Sequence, residues 1–244
     1  EAGIHPLEFD GSADSVFQIA AHEEIIPLPE LYRGCEVARE LCHSLMVGRV
    51  IARPYVGRPG SFHRTENRRD FSYPLPEPTI LDRLLERAVT TMTVGKLDDI
   101  FVKRGISKAI HVENNADAQA ALLETARRAQ DRLFVFANLI DFDMLYGHRR
   151  DSAGYARALE MADRFLGEFL PLLRRDDLMI ITADHGNDPT FKGTDHTREF
   201  VPLLAYRPGV PGMSLGIRHG FYDIAQSLAG FFGIAPMPRG VSFL

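Results

Sequence analysis

Cysteine is scarce in this chain: Cys35 and Cys42 are the only two in 244 residues. They lie seven apart on a predicted helix, which puts them on one face but too far apart for a disulfide within a straight helix. A disulfide scaffold is thereby excluded, and two reduced structural thiols in a cytoplasmic protein are expected. No apolar run approaches the ~20 residues that a membrane-crossing helix needs, and no leader-like segment is visible, so no membrane span is expected. Basic blocks are also missing, and the formal net charge is −5. That argues against nucleic acid or an anionic membrane as a partner. Neither an internal repeat nor a low-complexity tract stands out. The composition, 45% hydrophobic and 25% charged, is that of an ordinary globular protein with a substantial core. The length allows one large or two small domains.

The chain's punctuation suggests two. Pro74, Pro76 and Pro78 form a proline-rich stretch that reads as a domain boundary. Before it, Ser12 and Asp14 read as a loop feeding an apolar run, or as a helix N-cap ahead of Val16 and Ile19. Residues 31–46 carry a helical stripe through Leu31, Cys35, Ala38 and Cys42. Residues 47–56 read as a strand ended by Gly57. Residues 61–73 are basic and aromatic. Arg64, Arg68 and Arg69 suit a phosphate, but a solvated loop with Glu66 and Asp70 as local partners fits equally well.

After the prolines, strands and helices alternate. Thr79 and Asp82 have the spacing of a capping-box variant at the head of a helix over 80–88. Strand 89–94, helix 117–130, strand 133–139, helix 155–173, strand 178–183 and helix 221–232 follow. The run Leu133–Leu139 is apolar throughout, as in parallel strands covered on both faces. The pattern is α/β.

The chemistry gathers at two strand ends. Strand 133–139 is followed by Asp141, Asp143 and His148; strand 178–183 is followed by Asp184 and His185, then by a polar loop with Asp195 and His196. Ligands of open α/β sheets sit beyond the carboxyl ends of the strands, and Asp with neutral His suits Zn or Mn. Turn propensity accounts for Gly186, Asn187 and Pro189. It accounts poorly for so many carboxylates and histidines in one loop. Two neighbouring strands delivering Asp and His imply a shared site, and five ligands exceed one tetrahedral ion, so two metals are expected. His219, before the last helix, is read as structural.

The segments DFDMLYGHRRD (141–151) and ITADHGNDPTFKGTDHTREFVPLL (181–204) closely resemble signatures of the phosphopentomutase family of the alkaline phosphatase superfamily. SADSVFQIAAHEE (12–24), VGRVIARPYVG (47–57), RTENRRDFS (64–72) and VGKLDDIF (94–101) are similar to the same family. The resemblance implies a three-layer α/β/α alkaline-phosphatase-like core over 77–244 and part of an inserted α+β cap domain over 1–76. It implies two Mn²⁺ ions, Asp184 and His185 holding one and Asp143, His148 and His196 the other. In the cap it places Ser12, Asp14, Val16, Arg49 and Ile51 against a sugar phosphate.

The activity it implies is interconversion of (deoxy)ribose 1- and 5-phosphate through a phosphothreonine, primed by a sugar bisphosphate. The partners expected are small-molecule pentose phosphates. The family also has a longer N-terminal segment with the first core strand, an Asp metal ligand and the phosphoacceptor Thr; Thr182, Thr190, Thr194 and Thr197 do not match that acceptor. The chain therefore resembles the C-terminal part of such an enzyme, and by itself it is expected to expose a sheet edge and to aggregate readily. Another two-metal phosphoryl-transfer enzyme of the superfamily, or a non-catalytic metal- or sugar-phosphate-binding protein, fits the metal ligands alone.

Overall fold

A computed structural model describes residues 16–128 and 131–244. Ser12 and Asp14 lie outside the described residues. The chain divides into two compact units, Glu1–Pro76 and Glu77–Leu244.

In the first unit, β1 (Val16–His22) runs parallel to β2 (Arg49–Val56), and β3 (His63–Arg64) and β4 (Arg69–Ser72) pair antiparallel to β2. The apolar run from Val16 is thus a strand, not the start of a helix. The 61–73 segment, for which a solvated loop is one of two readings, contributes two short strands. Both are too brief to show a periodicity. Helix α1 (Leu28–Leu41) starts earlier than its stripe suggests, because Pro29 fits the first turn, where its missing N–H has no intrahelical role. It also ends earlier: Cys42 is the C-cap, and Met46 turns left-handed at φ 51°.

Alternation along β2 divides its side chains between two faces. Val50 and Ala52 enter a core with Ala21, Leu31 and Cys35. Arg49, Ile51 and Arg53 occupy the opposite face. Both cysteines are free and buried; burial, aided by Glu36, pushes the Cys35 thiol up to about 11, which marks it as an inert packing group.

The second unit is built on a parallel sheet in the order β6–β5–β7, from β5 (Thr90–Val94), β6 (Lys108–Ile110) and β7 (Leu133–Ala137). Helices cover both faces of β5. On one face Met92 takes the Thr125 hydroxyl of α4 (Asn115–Arg127). On the other, the Thr91 hydroxyl donates to the Gly105 carbonyl, and Gly105 lies against Leu81 and Asp82 of α2 (Ile80–Glu86). A Cβ on Gly105 would sit 2.6 Å from the Asp82 nitrogen, and its φ of +72° favours glycine as well. A four-residue helix, α3 (Leu97–Ile100), follows β5.

Helix α5 (Ser152–Phe169) links β7 to β8 (Met179–Thr182), which pairs antiparallel with β9 (Leu203–Tyr206) in a separate ribbon; α6 (Tyr222–Phe231) follows. Strand β7 departs from the expectation of cover on both faces. It is half-buried along its whole length, and its edge away from β5 has no strand partner among the described residues.

The head of α2 shows the expected capping interaction. Asp82 accepts from the Thr79 N–H at 2.6 Å and from its hydroxyl at 3.0 Å, and Arg104 donates to the same carboxylate at 3.0 Å. Burial raises the Asp82 carboxyl, but the bonds from Arg104 and Thr79 outweigh it and hold the group below the usual carboxylate value. A depressed folded value adds stability above the unfolded value, near ~3.9, and that stability is lost as pH falls through the folded value. Asp82→Ala is expected to cost about 1–2 kcal/mol at neutral pH. Thermal melts across pH check this: the gap between parent and variant closes in acid, and a gap unchanged by pH would contradict it.

Candidate metal centre

Three of the five candidate metal ligands converge. Asp143, His148 and His196 each offer a ligand atom, and these atoms lie within 4.8 Å of one another. Asp143 and His148 are carried by the turn after β7, a single π-helical turn over Phe142–Gly147. That choice of turn is decisive. Five residues along an α-helix two side chains diverge by ~140° at ~100° per residue. Here the His148 N–H closes onto the Asp143 carbonyl at 3.1 Å, the i→i+5 bond of a wider turn, and the two side chains share a side. Asp151, just beyond, caps α5 by accepting from the Gly154 N–H at 2.8 Å.

His196 comes from the β8–β9 loop. Gly186 and Thr197 pair as an isolated antiparallel bridge, with the Thr197 N–H on the Gly186 carbonyl at 2.9 Å. The bridge pins the two limbs of the loop and brings His185 and His196 side by side, their rings stacked at 3.6 Å. The Thr197 hydroxyl accepts from the Asp188 N–H and donates to Glu199 at 2.5 Å.

The geometry inside the cluster fits a cation. His196 Nε2 lies 3.3 Å from Asp143 Oδ1, and His148 Nε2 lies 3.4 Å from Asp143 Oδ2. Ligand atoms ~2.1 Å from one tetrahedral ion stand about 3.4 Å apart. His196 Nε2 is buried and lacks a hydrogen bond, a costly position for a polar atom unless something else satisfies it. The His148 ring is oriented for the task. Its Nδ1 meets the Thr194 carbonyl at 2.5 Å. A carbonyl only accepts, so Nδ1 is the donor, which in the neutral ring leaves Nε2 with its lone pair. The same logic applies to His185, whose Nδ1 meets the Gly186 carbonyl at 3.1 Å.

Asp184 and His185 stand apart from this trio. His185 reaches it by stacking on His196, while the Asp184 carboxylate is 79% exposed and lies 3.6 Å from the His185 ring. Among the described residues these two do not complete a second cluster. On helix α5, burial and then the charges of Asp143, Asp188 and Glu199 push the Tyr155 hydroxyl above its usual value.

The three described candidates for sugar-phosphate contact belong to the first unit. Val16 pairs with Arg49 across β1 and β2, and Ile51 is two residues further along, so the three share the sheet face opposite the core. Val16 and Ile51 are buried. Arg49 lies 3.7 Å from Asp70, which Arg68 also engages. Burial and the nearby Arg68 and Arg64 guanidinium groups lower Arg53 from its usual value, against the opposing charge of Asp70.

Sequence reasoning assigned Asn187 only to turn structure and set Thr194 aside as a phosphoacceptor, yet both hold metal-ligand candidates in place. The signal lies in the direction of a side chain and of a carbonyl, which residue type does not encode.

Residues 89–236 match the model of the metalloenzyme superfamily. The chain is 53% identical to the phosphopentomutase of Caldanaerobacter subterraneus subsp. tengcongensis, over 96% of this chain and 60% of that protein. It is 52% identical to the phosphopentomutase of Shewanella loihica, over 97% of this chain and 58% of that one. It therefore spans about 60% of the length of the curated relatives it matches.

Asp143→Ala and His196→Ala are each expected to abolish divalent-metal binding at this cluster without unfolding the chain. Titration with Mn²⁺ by calorimetry checks this; unchanged stoichiometry in either variant would refute the ligand assignment.

Proposed function

From the premise that this chain belongs to the metalloenzyme superfamily, we propose that it forms part of a phosphopentomutase, which moves a phosphate between the 1- and 5-positions of ribose or deoxyribose. The observation that carries the reading is the convergence of two histidine nitrogens on the Asp143 carboxylate, in a chain about half identical to proteins of that name. In this reading Glu77–Leu244 is the metal-bearing core and Glu1–Pro76 part of a cap.

Asp143, His148 and His196 would hold one divalent ion, Mn²⁺ by the family resemblance. Asp184 and His185 would contribute to a second, completed by a ligand from the part of the relatives' length that this chain does not span. Bound there, two divalent ions would offset phosphate charge and align an in-line transfer. The chain's own residues do the rest. The Thr194 carbonyl keeps the His148 Nε2 lone pair available. The Gly186–Thr197 bridge fixes the spacing of His185 and His196. On the cap sheet, Arg49 and Arg53 supply positive charge suited to a phosphate group, and buried Val16 and Ile51 suit the apolar edge of a pentose. We assign Ser12 and Asp14 to the same contact.

The phosphoryl acceptor is proposed to be a threonine outside this chain. Thr190 is tied to Asp188, and Thr197 to Glu199 and Asp188. Passage of the phosphoryl group through a phosphothreonine, with a sugar bisphosphate as primer, would split one difficult transfer into two easier ones. A cytoplasmic place in nucleoside catabolism agrees with this substrate class.

The test uses the enzyme containing this chain, with Mn²⁺ and a pentose bisphosphate. Ribose 1-phosphate is expected to convert to ribose 5-phosphate, and Asp143→Ala to lose roughly a hundredfold or more of the rate. Hydrolysis of phosphate esters without pentose interconversion would instead favour another phosphoryl-transfer enzyme of the superfamily.

A further inference from the structure

Asn187 sits between the two limbs of the cluster. Its Nδ2 donates to Asp143 Oδ1 at 2.5 Å, and that is the oxygen facing His196 Nε2. The amide rests on Gly147, the buried last residue of the π-helical turn that carries Asp143. A Cβ built on Gly147 would stand 2.5 Å from Asn187 Nδ2 and 2.7 Å from its Oδ1. Glycine is therefore required there by the amide's position and not by φ, since Gly147 has no left-handed backbone.

We propose that Asn187 is a positioning residue: seated on Gly147, it holds the Asp143 carboxylate in the rotation that keeps both oxygens turned toward His148 and His196. A carboxylate on its χ2 torsion rotates broadly. Once one oxygen binds a cation, the other contacts decide how much of that freedom is lost on binding. Asn187 supplies such a contact from the opposite strand end. It follows Gly186 directly, so the bridge to Thr197 that sets the histidines also sets the amide. Ligands from β7 and from the β8–β9 loop are thereby locked to each other before any ion arrives. Partners of this kind affect metal affinity by about 10–100-fold. The inference rests on Asp143, His148 and His196 being metal ligands.

The experiment is Mn²⁺ titration calorimetry on Asn187→Ala, Gly147→Ala and the double variant, with metal-free thermal melts alongside. Asn187→Ala is expected to weaken Mn²⁺ binding by about 10–100-fold while leaving the metal-free melt close to the parent's. Gly147→Ala is expected to weaken binding similarly by displacing the amide. The double variant is expected to bind no worse than Asn187→Ala, because removing the amide removes the clash; independent sites would add instead. Parent-like affinity in Asn187→Ala, or additive losses in the double variant, would overturn the proposal. Asp143→Ala separates the two levels. If it leaves Mn²⁺ binding intact, the ligand assignment fails and the proposal with it. If it abolishes binding while Asn187→Ala does not weaken it, only the role of Asn187 fails.

Discussion

Asp143 faces the Nε2 atoms of His148 and His196 across gaps of 3.4 and 3.3 Å, and His196 Nε2 is buried with no hydrogen bond. A carboxylate and two imidazoles brought this close call for water, shared protons or a cation between them, since a buried and unsatisfied nitrogen such as His196 Nε2 is costly. The local architecture serves that need. One strand end supplies a turn wide enough to present two ligands five residues apart. A loop pinned at Gly186 and Thr197 supplies the third, His196, and stacks His185 on it.

Rigidity in this region is indirect. No regular helix or strand holds His185, Asn187 or His196; a bridge, a hydroxyl relay through Thr197 and the Asn187 amide do. Each of these fixes one degree of freedom. Thr194 sets a tautomer, Asn187 a carboxylate rotation and Gly186 the spacing of the two limbs. A site built this way combines the chemistry of a loop with the order of the sheet beside it. The proposed phosphoryl transfer asks for that order, because most of its rate enhancement comes from alignment and charge.

The two units differ in how much of them could be read in advance. Long periodic segments such as α1 and α5 were visible, as was the Thr79–Asp82 cap, because helical periodicity and capping are written in neighbouring residues. The proline-rich stretch at 74–78 spans the point where the chain separates into its units. Strands β3, β4 and β6 were not visible, being two to four residues long. The apolar run of β7 predicted a strand correctly but not its exposure, since cover depends on what packs against it.

For the candidate site, the sequence by itself determined the inventory: which strands end in Asp and His, and that these residue types suit a divalent metal. Chemistry of that kind resides in residue identity and local order along the chain. Only the tertiary structure decided the grouping. It joined His196 to Asp143 and His148 while leaving Asp184 exposed. It chose a π-helical turn over an α-helical one, and it turned Asn187, a turn-forming residue by composition, into the partner of Asp143. The grouping of His196 with Asp143 and the Asn187–Asp143 bond depend on contacts between residues more than forty positions apart, and no local pattern encodes the direction of a side chain across such a distance.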